Sequence, residues 1–430
     1  MQSVDNNIIL SNTESVCPVC LRVVPAEVVV WEQAVYQKKV CPQHGSFTTY
    51  LWPNVDHYQW MKDFQFPFKQ PQEPIASQEG CPRDCGLCTS HLRHPTLVEI
   101  ELTQRCNMRC PVCFMAADEA QANAPADPDL MAIEVIYKAI LAKTGPQTSI
   151  QLTGGEPTIR RDLPDIVRLG RRMGFTAIEV NTNGMMIAQD FEYVKELAEA
   201  GISGIYLQFD GLTGPVYEKI RGKNVLEYKL KAIENCRAAG VQVVLAMTVI
   251  GGINHDQMGA VLNFALRNRD VIAGIAYQPA FGSGRFDVAV PKRLTMGDVI
   301  FQLAEQSQGL IEPYDFWPLG CSHPLCDAAT YIVEDQGKLN PLTRLITKEE
   351  YVDYFDPDSP QGSVFGDIAD KMFPQLNPGL SIVIMNFMDG MSMDLKRLKE
   401  CSMTVAGPEG RIIPFCIYQL TNIDGKKMRE

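Results

Sequence analysis

The fourteen cysteines of this 430-residue chain constrain it more than any other feature, because all but one belong to four groups. The groups are Cys17, Cys20, Cys41 and His44; Cys81, Cys85 and Cys88; Cys106, Cys110 and Cys113; and Cys321, Cys326, Cys401 and Cys416. In a reducing compartment, clustered cysteines indicate metal sites rather than disulfides. The remaining cysteine, Cys236, lies in a helical pattern, and we expect a buried, inert thiol.

Charge and hydropathy exclude several classes of protein. Lys and Arg number 39 against 51 Asp and Glu, which gives a net charge of −12, whereas generic nucleic-acid binding needs a basic face. No apolar run reaches the roughly 18 residues of a membrane span, so we expect no transmembrane segment, and peripheral membrane contact stays open. The start, Met1–Asn7, lacks the pattern of a secretory signal. We therefore expect a cytoplasmic protein.

The first group predicts a mononuclear metal site in a small N-terminal knuckle. Cys17-Pro-Val-Cys20 and Cys41-Pro-Gln-His44 are two hairpin motifs that bring four soft ligands to a tetrahedron. Such a ligand set suits zinc or a rubredoxin-like iron. A structural zinc ribbon and an electron-transfer iron are both open interpretations.

The middle of the chain alternates short apolar runs with longer helical patterns. Strands are predicted at Leu97–Leu102, Ser149–Leu152, Ala177–Val180, Gly204–Gln208, Val241–Met247 and Ile272–Tyr277. Helices are predicted at Leu130–Lys143, Leu163–Arg172, Phe191–Ala200, Val225–Ala239 and Gln257–Asn268. This alternation is typical of repeated βαβ units and predicts an α/β fold with a parallel sheet or barrel. Periodicity leaves open both an incomplete barrel and a doubly wound sheet.

Polar or glycine-rich motifs follow five of the predicted strands. They are Thr103–Cys106, Thr153–Thr158, Asn181–Gly184, Phe209–Gly211 and Gln278–Pro279. Parallel α/β folds place their chemistry at the carboxyl ends of the strands. We therefore expect these motifs to converge on one mouth.

The third cysteine group predicts an iron–sulfur cluster with an open iron. Its spacing is Cys-x3-Cys-x2-Cys, whereas a four-iron cluster normally takes four thiolates. An open iron can chelate the amino and carboxylate groups of an amino-acid-like ligand. The segment Gly154-Gly155-Glu156 would let the backbone approach such a ligand and would supply a carboxylate for its ammonium group. Together these features describe a site for S-adenosylmethionine (SAM).

Cys106-x3-Cys110-x2-Cys113-Phe114, with Gly154-Gly-Glu-Pro157 one strand later, resembles the radical SAM superfamily over about residues 98–285. The resemblance implies a partial (β/α)6 barrel. It also implies a cluster that reduces bound SAM to methionine and a 5′-deoxyadenosyl radical, and a reducing partner such as flavodoxin or ferredoxin. Further cofactor contacts are expected from Asn181, Asn183, Gln208, Asp210 and Gln278. Plain turns are the alternative for Asn181–Gly184 and Asp210–Gly211.

The second and fourth groups predict auxiliary clusters. The second group lacks an obvious fourth cysteine, a place that His91 or His94 can take, and zinc is the alternative there. The fourth group matches the four thiolates of a saturated cluster, and exchange of ligands between the two groups stays open. In total we predict three [4Fe–4S] clusters and one mononuclear zinc or iron.

The whole layout resembles one group of radical SAM enzymes, which contains the archaeal tetraether lipid synthase and archaeal radical SAM pterin methylases. The shared features are the N-terminal knuckle, the Cys-Pro-x2-Cys-Gly-Leu-Cys-x2-His segment and the terminal Gly410–Cys416. His44 stands where a rubredoxin site would have cysteine, which favours zinc. The resemblance implies functionalisation of an unactivated C–H bond, either by C–C coupling of lipid chains or by methylation of a pterin-like substrate.

We predict four parts: a knuckle domain at 1–70, an auxiliary-cluster segment at 71–96, the partial barrel at 97–285 and a C-terminal auxiliary-cluster domain at 286–430. The alternatives are a peptide-modifying radical SAM enzyme and a non-enzymatic electron-transfer protein. A lipid substrate predicts a long apolar tunnel, to which the methionine-rich stretch from Leu380 to Met393 would contribute if it is not ordinary core. A pterin predicts a compact polar pocket with aromatic walls.

Overall fold

A computed structural model of the chain describes residues 8–428 except 73, 118–125, 290–291, 356–363, 377 and 408–409. Met1–Asn7, on which the prediction about a secretory signal depends, lies outside the described residues. The strands are β1 (Ile8–Val16), β2 (Val23–Trp31), β3 (Ala34–Cys41), β4 (Gly45–Trp52), β5 (Leu97–Glu101), β6 (Val112–Cys113), β7 (Ser149–Thr153), β8 (Ile178–Thr182), β9 (Gly204–Gln208), β10 (Val243–Val249), β11 (Ile272–Pro279), β12 (Arg285–Phe286), β13 (Asp327–Asp335), β14 (Lys338–Pro341), β15 (Leu380–Met385), β16 (Met403–Ala406) and β17 (Ile412–Pro414).

Helices connect most of these strands. The α-helices are α1 (Val55–Lys62), α2 (Leu130–Thr144), α3 (Leu163–Arg172), α4 (Met185–Gln189), α5 (Phe191–Ala200), α6 (Gly214–Arg221), α7 (Leu226–Ala239), α8 (Met258–Arg267), α9 (Met296–Gln306), α10 (Lys348–Tyr354), α11 (Val364–Met372), α12 (Leu395–Leu398) and α13 (Phe415–Tyr418). Short 3₁₀ turns lie at Pro157–Ile159, His255–Gln257, Pro313–Asp315, Leu342–Arg344 and Pro374–Leu376. No helix in the described part of the chain is long and apolar enough to span a bilayer.

Six parallel strands form the centre of the main sheet, in the order β5-β7-β8-β9-β10-β11. Neighbour order follows chain order, as in a barrel, whereas a doubly wound sheet reverses direction at a switch point. The α/β partial barrel predicted from the sequence is therefore confirmed. Local signals set the helix limits: Asp129 caps α2 by accepting from the Ala132 N–H, and Gly240, at a φ of 71°, ends α7.

The C-terminal region extends this sheet at both edges. β15 lies parallel to β11, and β13 pairs with β15 in antiparallel fashion. At the opposite edge β16 lies parallel to β5, with Val405 opposite Glu99, and β17 follows it. The sheet therefore runs across the boundary predicted near residue 285.

The N-terminal sheet β1-β2-β3-β4 docks on the C-terminal region through buried polar contacts. Lys39 Nζ donates hydrogen bonds to Ser15 Oγ at 3.0 Å and to the carbonyls of Gly390 and Met391 at 2.8 and 2.9 Å. Burial lowers the pKa of Lys39 to about 8. The two bonds to the Gly390 and Met391 carbonyls hold the N-terminal sheet against the loop before α12.

Candidate active site

A cavity of about 610 Å³ lies where the strand-end motifs come together. The predicted site residues that line it are Cys106, Cys110, Cys113, Gly154, Gly155, Glu156, Asn181, Asn183, Gln208 and Gln278. Four of the five motifs that follow strands thus contribute to one mouth. The contacts of these residues with a cofactor stay predictions.

The cysteine loop packs on the two glycines after β7 through backbone contacts. The N–H of Gly155 donates to the Thr103 carbonyl at 2.7 Å, and the N–H of Glu156 donates to the Arg105 carbonyl at 2.9 Å. A Cβ atom on Gly155 would lie 2.1 Å from the Arg105 oxygen, and one on Gly154 would lie 2.3 Å from the Thr103 oxygen. These glycines therefore let the cysteine loop approach closely, and the approach of a ligand to the same segment stays a prediction.

The Glu156 carboxylate joins two loops of the site. Its Oε1 accepts from the Thr158 N–H at 3.0 Å and from the Thr182 hydroxyl at 2.7 Å, and its Oε2 accepts from the Asn183 N–H at 2.7 Å. The Asn183 side chain in turn donates to Asn107 Oδ1, in the cysteine loop, at 2.7 Å. A SAM ammonium group, the partner predicted for Glu156, would share a carboxylate that already joins these two loops.

Asp210 does not line the cavity; it is buried beside Arg221. The guanidinium of Arg221 donates to both oxygens of Asp210, at 2.6 and 2.9 Å, and to the Val112 carbonyl in the cysteine loop at 3.0 Å. Burial raises the pKa of the Cys110 thiol, and the nearby charge of Arg221 opposes that rise. The Asp210–Arg221 pair therefore stabilises the cysteine loop through the hydrogen bond from Arg221 to Val112.

The three thiols of the loop have the donor chemistry of an iron–sulfur cluster. All three line the cavity, and burial raises the pKa of Cys106 to about 12. Thiolate is the form that binds iron, so deprotonation of these buried groups is coupled to iron binding. Three sulfur ligands on the cavity wall fit a cluster that faces the cavity.

Six polar side chains, which we call the polar floor, line the interior of the cavity: Glu99, Gln151, Glu179, Asn181, Tyr206 and Gln278. Strand register places Glu99 opposite Gln151, and Gln151 opposite Glu179. Four of the six are missed by reasoning from the sequence. The available signal was the presence of Glu99 and Glu179 inside two strands that were predicted from apolar runs.

Four phenylalanines, which we call the aromatic wall, line another side of the cavity: Phe114, Phe281, Phe387 and Phe415. Their ring centroids lie 5.3 Å apart for Phe281 and Phe387, 4.7 Å for Phe387 and Phe415, and 5.7 Å for Phe114 and Phe415. Phe114 directly follows Cys113, so the wall begins beside the third cysteine.

The knuckle brings its four predicted ligands together. One ligand atom from each of Cys17, Cys20, Cys41 and His44 lies within 4.8 Å of all the others. Two Cys-containing hairpins with this spacing suit a tetrahedral metal ion.

The Cys41→Ala protein is expected to lose the mononuclear metal ion, because three ligands bind zinc much more weakly than four. Metal analysis by mass spectrometry checks this, with a drop of one metal ion per chain and no change in cluster iron. Cys236→Ala is the matched control, since Cys236 is a buried thiol outside all four groups. An unchanged metal content in the Cys41→Ala protein would contradict the knuckle site.

The auxiliary cysteines lie in two neighbourhoods. Cys85 and Cys416 belong to one buried cluster of side chains, against which the half-buried Cys81 and Cys401 pack, so the second and fourth groups meet. Burial raises the pKa of Cys401 and of Cys416, and the nearby Cys326 thiolate charge raises both further.

Cys321 belongs to another buried cluster, and its Sγ lies 4.0 Å from Asp327 Oδ2. His91 Nε2 lies 2.8 Å from the Cys401 carbonyl oxygen, and His94 Nε2 lies 2.9 Å from the Thr144 carbonyl oxygen. The auxiliary ligand sets stay predictions.

A family model described as the radical SAM superfamily matches residues 100–265, and one described as an HMPTM N-terminal zinc ribbon domain matches residues 9–53. The chain belongs to the radical SAM superfamily. It is therefore a radical SAM enzyme, and membership implies SAM, a [4Fe–4S] cluster and a source of electrons.

A relative that matches almost end to end is the 7,8-dihydro-6-hydroxymethylpterin dimethyltransferase of Methanocaldococcus jannaschii. The two are 33% identical, over 94% of this chain and 92% of that protein. A probable GTP 3′,8-cyclase of Archaeoglobus fulgidus is 31% identical over 39% of this chain and 54% of that protein. Among solved structures, Streptococcus suis SuiB bound to SAM is 12% identical, with a TM-score of 0.40, over 65% of this chain and 68% of that one.

Proposed function

We propose that this radical SAM enzyme replaces hydrogen by methyl on a pterin-like heterocycle. The hydrogen leaves in 5′-deoxyadenosine, and the methyl comes from a second SAM, which takes up one electron and leaves as S-adenosylhomocysteine. The observation that carries the proposal is the combination of the polar floor and the aromatic wall in one cavity. A relative named as a pterin dimethyltransferase, which aligns with nearly the whole chain, supports it.

The polar floor favours a heterocycle over a hydrocarbon chain. A lipid tail offers no donor to the two unpaired acceptors of the floor, Glu99 Oε2 and Asn181 Oδ1, and a buried acceptor without a partner is costly. A pterin presents ring and amino N–H groups to such a floor, and its flat face can stack on phenylalanine rings. The floor provides polar groups and the wall provides aromatic rings, which are two of the features expected for a pterin site.

The cluster, when bound, supplies the electron that cleaves SAM. The residues of this chain hold the reacting groups in place. Cys106, Cys110 and Cys113 would hold the cluster at the wall of the cavity. Glu156 holds its own loop and the loop after β8 together through its hydrogen bonds. The aromatic wall presents apolar surface beside the cysteine loop, where it would limit the access of water to the reacting carbon.

Anaerobically reconstituted protein, given SAM and dithionite, is expected to form 5′-deoxyadenosine faster when a 6-hydroxymethyl dihydropterin is added. With the pterin deuterated at its candidate methylation carbons, mass spectrometry should find deuterium in the 5′-deoxyadenosine. The Cys110→Ala protein is the control for reactions outside the cluster site.

The competing substrate is a pair of lipid chains, which the same assay tests with a diether lipid in micelles. Stimulation by the lipid but not by the pterin would replace methylation with C–C coupling. Stimulation by neither pterin nor lipid, with a filled cluster, would contradict the proposed substrate class.

A further inference from the structure

Two buried acceptors of the polar floor have no donor among the described residues. These atoms are Glu99 Oε2 and Asn181 Oδ1. The neighbouring amides are already used: Asn181 Nδ2 donates to Gln151 Oε1 at 3.3 Å, and Gln151 Nε2 donates to Glu179 Oε2 at 2.9 Å. Asn181, Gln151 and Glu179 therefore form one chain of hydrogen bonds, which leaves Glu99 Oε2 and Asn181 Oδ1 unused.

Glu99 is unlike the other buried carboxylates of the site. Glu101, two residues along the same strand, accepts from the Tyr418 hydroxyl at 2.9 Å. Glu156 accepts from three residues, and Asp210 is bound by Arg221. A buried polar group without a partner is uncommon in a folded protein, so an unpartnered carboxylate on a cavity wall indicates a ligand.

No cation among the described residues that line the cavity compensates Glu99. Arg221 is the cationic side chain of that lining, and its guanidinium is bound to Asp210. Burial, with the charge of Glu101, raises the pKa of Glu99 to about 8, and burial also raises that of Glu179. A ligand that brings N–H donors to Glu99 would relieve this cost.

We propose that Glu99 is the substrate-binding carboxylate, which accepts two adjacent N–H groups from a 2-amino-4-oxopyrimidine ring, with Asn181 Oδ1 as a further acceptor. The ring N–H and the exocyclic amino group of such a ring lie side by side, and a carboxylate accepts such a pair of donors in bidentate fashion. Gln151 and Glu179 position Asn181 through their hydrogen bonds. The assignment rests on the proposed function, since it names how that function's substrate is recognised.

The test compares two ligands on reconstituted holoenzyme by equilibrium dialysis. One is a 6-hydroxymethyl pterin, and the other is its 2-oxo analogue, which lacks the amino group. The native enzyme is expected to bind the pterin about 10-fold to 100-fold more tightly, as for a hydrogen bond to a charged group. The Glu99→Gln enzyme should lose that preference while its iron content and SAM affinity stay unchanged.

Glu101→Gln is the matched control, because Glu101 lies on the same strand with partners of its own; it should keep the preference. A Glu99→Gln enzyme that still prefers the pterin overturns the assignment and leaves the proposed function standing. A native enzyme that binds neither ligand overturns the proposed function and the assignment together. If Glu99→Gln does not assemble its cluster, Glu99→Asp serves instead, and unchanged pterin affinity there overturns the assignment.

Discussion

The Gly155→Ala enzyme is expected to lose SAM cleavage by about 100-fold or more, because a misplacement near 1 Å in a catalytic site costs that much. A Cβ atom at this position would lie 2.1 Å from the Arg105 carbonyl oxygen, and contacts under 3 Å force a shift. The atom in conflict belongs to the backbone, so no side-chain rotation relieves it. The cysteine loop must move away from the Gly154–Glu156 segment, and its hydrogen bonds with that segment break.

Anaerobic assays of 5′-deoxyadenosine, together with iron analysis, measure this effect. Gly366→Ala is the matched control, since a Cβ atom there meets nothing within 4 Å and the residue lies inside α11. Alanine in a helix interior stabilises by about 0.5–1 kcal/mol relative to glycine. Near-native activity in the Gly155→Ala enzyme would mean that the contact between the loops is not needed for the site.

The Asp210→Asn protein is expected to be destabilised by about 3–5 kcal/mol, the usual cost of leaving a buried charge without its partner. Asp210 is fully buried, and Arg221 has only 9% of its side chain exposed. Arg221 also donates to Thr248 Oγ1 at 3.1 Å, so a displaced guanidinium disturbs β10 as well as the cysteine loop. Urea unfolding of the metal-free protein measures the loss, and iron analysis reports on the loop.

Glu192→Gln removes a comparable ion pair from the surface and serves as the control. Its partner Lys195 lies 2.8 Å away, and 78% of the Glu192 side chain is exposed. Exposed pairs contribute little because water screens them, so no measurable change is expected. If Asp210→Asn unfolds at the same urea concentration as Glu192→Gln, the buried pair does not support the loop.

The positions of the central strands and helices along the chain were predictable, because both depend on neighbouring residues, whereas periodicity left the order of the strands in the sheet open. Apolar periods of two and of about 3.6 residues are visible in any short window of sequence. The Cys106–Cys113 spacing is equally local, and its chemistry follows from three thiolates in one loop. The radical SAM class therefore follows from short stretches of the sequence alone.

The strands β15 and β16, which flank the six central strands, could not be placed from the sequence, because each pairs with a strand far away in the chain. β16 pairs with β5 about 300 residues earlier. The polar floor was missed for the same reason. Which face of a strand points into a cavity depends on how distant strands align. In the sequence Glu99 is an isolated charge, and only the strand register places it opposite Gln151, which is opposite Glu179.

The spacing of the three cysteines thus determined the cofactor chemistry, whereas packing between distant segments determined the hydrogen-bond partners of the polar side chains. Asp210 is an example, because the sequence indicated a place in the cavity and the folded chain instead buries its carboxylate against Arg221. Ligand spacing and apolar periodicity are properties of short segments and can be seen in the sequence. The burial of a polar group and its contacts with other residues are decided only when distant segments pack together.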